Sequence, residues 1–159
     1  MSDRLTDEAA IRALMDRYGA TVDERDWDGF AVLFTDPLAT DFSGIDPAFA
    51  PATVARADHV AGTRAVLAQF DATQHMITNV QIALDGERAR CRAVMRAEHW
   101  LSGLRGAPRY TLFGVYENEF VRESGGWRIA RLALRVTREE GNVDVWAAAL
   151  RRAGAAGGG

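Results

Sequence analysis

Three residues have the chemistry of a proton-transfer set: His75 in Thr-Gln-His-Met-Ile, His99 in Ala-Glu-His-Trp, and Asp23 in Val-Asp-Glu-Arg-Asp-Trp. Histidine titrates near neutrality, so two imidazoles in one site can act as base and acid within a turnover. A carboxylate beside an imidazole fixes its tautomer and raises its basicity. Each residue also has an ordinary explanation. A histidine at a strand end often bonds backbone or water, and an aspartate at a helix end is often solvated. Asp23, however, sits at a helix C-terminus, where the dipole disfavours an anion. A carboxylate placed there invites a partner, and an inward histidine would supply one.

Four further residues could contact a ligand: Tyr18, Phe42, Tyr116 and Asn118. A tyrosine hydroxyl could reach a substrate carbonyl, although aromatic core packing with one hydrogen bond explains Tyr18 and Tyr116 as well. His59, at the start of a helix, reads as exposed. Metal binding by Asp23, His75 and His99 lacks any HExxH or paired-cysteine spacing, so no metal is expected. The glycines fall in turns and the tail rather than in a phosphate loop, and the charge pattern around Cys91 does not argue for a reactive thiolate. No cofactor is expected.

The elements that must position these residues follow from periodicity. Ile11, Leu14, Met15, Tyr18 and Val22 recur at helical spacing, with Thr6 as a possible N-cap. Asp26 can cap a short second helix carrying Trp27, Phe30, Leu33 and Phe34 on one side. Leu38–Gly44 suggests a short strand near Phe42, amid three prolines. A third helix is expected from about Asp58 to Phe70, with Val60, Leu67 and Phe70 inward.

After Thr73 the period changes to two. Two strands joined at Asp85-Gly86 form a hairpin in which paired positions sum to about 171. His75 and His99 then lie at the same end of one sheet. Along the second of these strands Cys91, Ala93, Met95, Ala97 and His99 share one face, the better candidate for an interior. Two further strands complete an antiparallel meander. A helix over Val143–Arg152 and a flexible tail over residues 151–159 close the chain, with residues 1–150 as one domain. The class is α+β, with a curved sheet and three N-terminal helices enclosing a cavity suited to a small molecule.

Composition fits this reading. The chain has 159 residues, 48% hydrophobic and 26% charged, enough for one real core. Its net charge of −3 offers no basic surface for nucleic acid. No apolar run suits a membrane span, the start lacks a signal peptide's apolar core, and the single cysteine forms no internal disulfide. A cytoplasmic setting is expected. Arg92, Val94, Arg96, Trp100, Phe113 and Val115 would give the outer sheet face a mixed apolar and charged surface, which suggests a homo-oligomer.

The order Val-Asp-Glu-Arg-Asp-Trp-Asp, Thr-Gln-His-Met-Ile, Glu-His-Trp and Gly-Gly-Trp-Arg-Ile-Ala resembles the SnoaL-like part of the nuclear-transport-factor-2-like (NTF2-like) superfamily, and within it the scytalone dehydratase-like branch. The resemblance spans Arg12 to Val136. It implies a cone-shaped fold, a dimer or trimer, and acid-base chemistry without a cofactor. It implies that Asp23 orients His99, that His99 shuttles the proton, and that His75 stands near the leaving hydroxyl. Gly114 and Tyr116 match substrate-contacting positions. The branch uses two tyrosines where this chain has Val22 and Phe42; Tyr18 is placed to replace one. The expected function is a dehydratase-type lyase for a small apolar β-hydroxy carbonyl compound, with Tyr18 or Tyr116 bonding the carbonyl. A polyketide or terpenoid cyclase or isomerase, or a non-catalytic binding module, would use the same cavity.

Overall fold

A computed structural model describes residues 4–156. Helix α1 (Arg4–Glu24) is followed by α2 (Trp27–Ala31), β1 (Phe34–Asp41), a 3₁₀ turn (Pro47–Phe49), β2 (Ala52–Val54) and α3 (Arg56–Leu67). Then come β3 (Ala72–Asp85), β4 (Arg88–Trp100), β5 (Arg109–Glu123), β6 (Gly126–Gly141) and α4 (Val143–Ala156). The strands form one curved, unclosed sheet in the order β2-β1-β6-β5-β4-β3. The expected α+β class and the meander from β3 to β6 are both present. The strand foreseen near Phe42 is longer than expected, starts at Phe34, and runs parallel to β6. Phe34 therefore opens a strand rather than closing α2. Thr6 lies inside α1 rather than capping it, and α3 spans Arg56–Leu67. Helix α4 continues past Arg152 to Ala156, into the segment expected to be a loose tail; residues 157–159 lie outside the described part.

The core lies between the inner sheet face and the helices. Ile11, Leu14, Met15, Tyr18 and Val22 of α1 are all buried, as their helical spacing requires. Gly19 lets α1 approach β3 closely, since a Cβ there would stand 3.3 Å from the His75 carbonyl oxygen. At the N-terminal end of α1, Asp7 accepts from Trp127 Nε1 at 3.0 Å and pairs with Arg122 at 2.6 Å. The same guanidinium lies 4.5 Å from the Trp127 ring centroid. This clasp closes one end of the cone.

Register decides what faces the interior. The β3–β4 hairpin turns through Gly86 (φ 57°), pairing Asp85 with Arg88. The ladder then shifts between Thr78 and Gln81, where Asn79 takes φ 53°. Such a bulge reverses which alternate residues point inward. Near the turn Val80, Ile82 and Leu84 face the core; beyond the bulge Thr73, His75 and Ile77 do. His75 pairs with Ala97 and Thr73 with His99, one step from the simple hairpin expectation. On β4, Cys91, Ala93, Met95, Ala97 and His99 are buried on the inner face as expected. Outside, Phe113 lies beneath the Arg96 and Arg138 guanidinium groups at 5.5 and 5.8 Å.

Candidate active site

The last turn of α1 delivers Asp23. Asp26 N–H bonds the Thr21 carbonyl at 2.9 Å and Arg25 N–H bonds the Val22 carbonyl at 3.2 Å, which ends the helix in a Schellman arrangement. Arg25 occupies the left-handed position (φ 62°), where glycine is usual. Its guanidinium bonds back to the Val22 carbonyl at 2.9 Å and to Thr73 Oγ1 at 3.0 Å. That cation also answers the helix dipole at the end where Asp23 offends it. Asp26 caps α2 as expected, accepting from Gly29 N–H at 2.9 Å.

Asp23 bonds His75, not His99. Its Oδ1 lies 2.7 Å from His75 Nδ1 and accepts from the Thr73 hydroxyl at 3.0 Å, while Oδ2 accepts the His75 backbone N–H at 2.7 Å. The carboxylate contact that the resemblance implied for His99 is thus made by the other imidazole. The cause is the β3 bulge, which turns His75 inward beside the helix end. Burial works to raise the Asp23 carboxyl, but the bonds and charge of His75, with Thr73, hold it below its ordinary value. With the carboxylate ionised, His75 Nδ1 carries the proton and Nε2 is left for chemistry.

His99 lies on the inner face with 2% exposure, its ring 5.8 Å from that of His75. Its Nδ1 is buried and has no hydrogen-bond partner among the described residues. Burial first, and the neighbouring His75 charge second, push its pKa down to about 3. It is a neutral imidazole at physiological pH. Phe70, Tyr110 and Trp146 surround it, with ring centroids at 4.8, 6.0 and 5.1 Å.

Tyr18 and Tyr116 come together from α1 and β5. The Tyr116 hydroxyl donates to that of Tyr18 at 3.4 Å, leaving the Tyr18 proton available. Burial raises the Tyr18 pKa to about 12 and that of Tyr116 well above 10, so both are neutral donors. Asn118 is buried elsewhere on β5. Its Oδ1 accepts Ala133 N–H at 3.0 Å and its Nδ2 reaches Met15 Sδ at 3.5 Å. One end of its amide thus serves the β5–β6 seam and the other meets Met15 of α1, rather than facing the histidines.

Phe42 stacks on His59 at 6.3 Å, and His59 is not exposed as expected. It packs against Phe30 at 5.8 Å and Phe34 at 5.0 Å, its Nε2 buried and unpartnered among the described residues. Burial lowers its pKa to about 4. The burial of His59 and the place of Trp146 beside His99 are what the sequence reading missed. Helical spacing offered a signal for His59, because it falls on one stripe with Val66 and Phe70. An open depression lined by Arg90, Arg92, Glu117 and Arg131 lies on the outer sheet face; it touches Asn118 but neither Asp23, the histidines nor the tyrosine pair. The convergence of acid-base residues, not that depression, marks the candidate site.

The model of the SnoaL-like domain matches residues 3–133. The chain belongs to the SnoaL-like domain family. Among solved structures, Kfla4162 from Kribbella flavida is 36% identical with a TM-score of 0.86, covering 91% of this chain and 99% of its own. Two proteins from Novosphingobium aromaticivorans are each 26% identical. One, provisionally named an aromatic ring hydroxylase, has a TM-score of 0.78 and covers 91% of this chain and 99% of its own. The other, provisionally named a scytalone dehydratase, has a TM-score of 0.76 and covers 87% and 89%. The SnoaL-like domain here has the NTF2-like cone. Among the described residues no helix is long and apolar enough to cross a membrane.

Proposed function

We propose that this SnoaL-like domain is a cofactor-independent lyase that dehydrates a small, largely apolar β-hydroxy carbonyl compound. The observation that carries the reading is the double contact of Asp23 with His75. His75 Nε2 takes the proton next to the carbonyl. The C–H pair becomes the new C=C bond, the C–O bond breaks, and the oxygen leaves with its pair. The His75 imidazolium returns the proton, so the oxygen departs as water. Tyr18, backed by Tyr116, donates to the carbonyl oxygen as it gains enolate charge. A donor preorganised in a dry site is worth most at that point. His99 stays neutral and bonds the reacting molecule without exchanging charge. The name carried by one Novosphingobium neighbour agrees with this reaction class.

The aldol of benzaldehyde and acetone is a suitable first substrate, since its dehydration product benzalacetone absorbs strongly in the near ultraviolet. Wild type should form benzalacetone with loss of one water, and His75→Ala should slow this about 10²–10⁴-fold. Exchange of the α-protons for deuterium widens the test. Exchange by wild type but not by His75→Ala, with no loss of water, would replace dehydration by isomerisation or cyclisation. Neither exchange nor dehydration across a panel of β-hydroxy ketones would overturn the enzyme reading in favour of a binding module.

A further inference from the structure

Two neighbouring rings beneath α4 each carry an unpartnered nitrogen. Trp146 Nε1 and His99 Nδ1 are both buried, and neither has a hydrogen-bond partner among the described residues. Their rings stand 5.1 Å apart at 74°. Phe70 stacks on the indole at 5.6 Å, and Tyr110 flanks it at 6.2 Å. Buried tryptophan N–H groups usually find an acceptor, and one left unmet forfeits the bond it had with water. Two such groups on adjoining rings are unlike ordinary core packing.

The indole is firmly held. Asn142 Oδ1 caps α4 through Asp144 N–H at 3.1 Å, and Asn142 Nδ2 bonds the Arg105 and Ala107 carbonyls at 3.0 Å each. Val145, Ala148 and Ala149 bury the helix on the sheet. The family match ends at residue 133, so Trp146 comes from a segment beyond it. Nothing in the family model accounts for this donor.

The chemistry of the two groups selects their ligand. An indole N–H only donates, so a cation or a bare N–H cannot satisfy it. A buried neutral imidazole offers one N–H and one lone pair. An anion is poorly served. His99 carries no charge, the Tyr110 hydroxyl beside it already donates to Glu139 at 2.5 Å, and Arg25 is engaged by Val22 and Thr73. A hydroxyl both accepts and donates. It satisfies the indole and the unpartnered Nδ1 of the imidazole, whether that nitrogen donates or accepts.

We propose that Trp146 and His99 form a subsite for a neutral hydroxyl group of the bound molecule. That this is the hydroxyl expelled as water rests on the dehydratase reading; the subsite itself stands on the two nitrogens. It makes Trp146 a specificity-determining residue, steadying the oxygen as the C–O bond lengthens.

The test uses benzyl alcohol and toluene, which differ by one hydroxyl, on wild type and on Trp146→Phe. The variant keeps an aromatic ring in the packing and removes the N–H; its melting temperature shows that it is folded. The chain has four tryptophans, so the Trp146 indole N–H resonance is assigned by its loss in the variant. Benzyl alcohol should move that resonance downfield and bind wild type roughly fivefold tighter than toluene, and the preference should vanish in Trp146→Phe. Equal binding of the two compounds, an unmoved indole resonance, or a preference that survives in the variant overturns the subsite. Failure of the aldol to dehydrate while benzyl alcohol is still preferred would overturn the dehydratase reading alone.

Discussion

The Asp23 carboxylate grips His75 twice, with Oδ1 2.7 Å from the ring Nδ1 and Oδ2 2.7 Å from the backbone N–H of the same residue. Strand position and ring orientation are thereby fixed by one group. Asp23→Asn removes the charge and turns one acceptor into a donor facing a donor. Turnover should fall about 10²–10⁴-fold while the fold persists. In proton NMR, the signal of the Nδ1–H held by the carboxylate should lose its downfield position. Unchanged turnover with the signal gone would remove His75 from the mechanism.

The tyrosine pair is asymmetric. Tyr116 donates to Tyr18 at 3.4 Å, so only the Tyr18 proton points onward. Tyr18→Phe should lower kcat by about 10²-fold, the loss expected for one donor to a developing oxyanion. Tyr116→Phe should cost less than tenfold, since it removes only the supporting bond. The reverse order in steady-state kinetics would make Tyr116 the donor.

Acid should destabilise this protein earlier than a carboxylate-driven transition would. Unfolded imidazoles bind protons from about pH 6.5 downward, whereas in the fold His59 waits until about pH 4 and His99 until about pH 3. Between these limits the unfolded state holds more protons, so stability is full above pH 6.5 and falls as pH drops toward 4. His59 alone accounts for about 3 kcal/mol of that loss. His59→Phe should flatten the slope by nearly one proton and raise stability at pH 7 by about 1 kcal/mol, since a buried unmet nitrogen is replaced by a ring. Urea titrations at pH 7 and pH 5 measure both effects.

Arg25 combines backbone strain with a structural bond. Arg25→Gly relieves the left-handed conformation by about 1 kcal/mol, which offsets the lost guanidinium contacts. The melting temperature should hardly move. Turnover should still fall about tenfold, because Thr73, which donates to Asp23, loses its own donor. A large drop in melting temperature would show that the guanidinium serves the fold rather than the site.

What was legible in the sequence was local. The α1 stripe, the inner face of β4 and the strand pairs follow from periods of 3.6 and 2, which neighbouring residues set among themselves. Asp23, His75 and His99 could be named as candidates from residue type, the face of β4 and the resemblance. Their pairing was not legible. It depends on a bulge around Asn79 that no alternation pattern announces, and one residue of slip exchanges every inward side chain. His59 was misplaced because Phe30, Phe34 and Phe42, which bury it, come from other parts of the chain. The parallel contact of β1 with β6 joins segments nearly a hundred residues apart, beyond the reach of any local signal. Asn118 shared the inward face with Tyr116, and alternation could not show that its amide was already committed to Ala133.

Helix α1 carries a carboxylate near each end, sixteen positions apart and so about 24 Å along its axis. Asp7 is locked into the clasp with Trp127 and Arg122; Asp23 serves the histidine. Loss at the first should register in melting, and loss at the second in turnover. A single helix thus keeps robustness and reactivity physically apart. A lineage built on this plan could trade one reaction for another by changing residues around Asp23, while the distant clasp goes on holding the cone together.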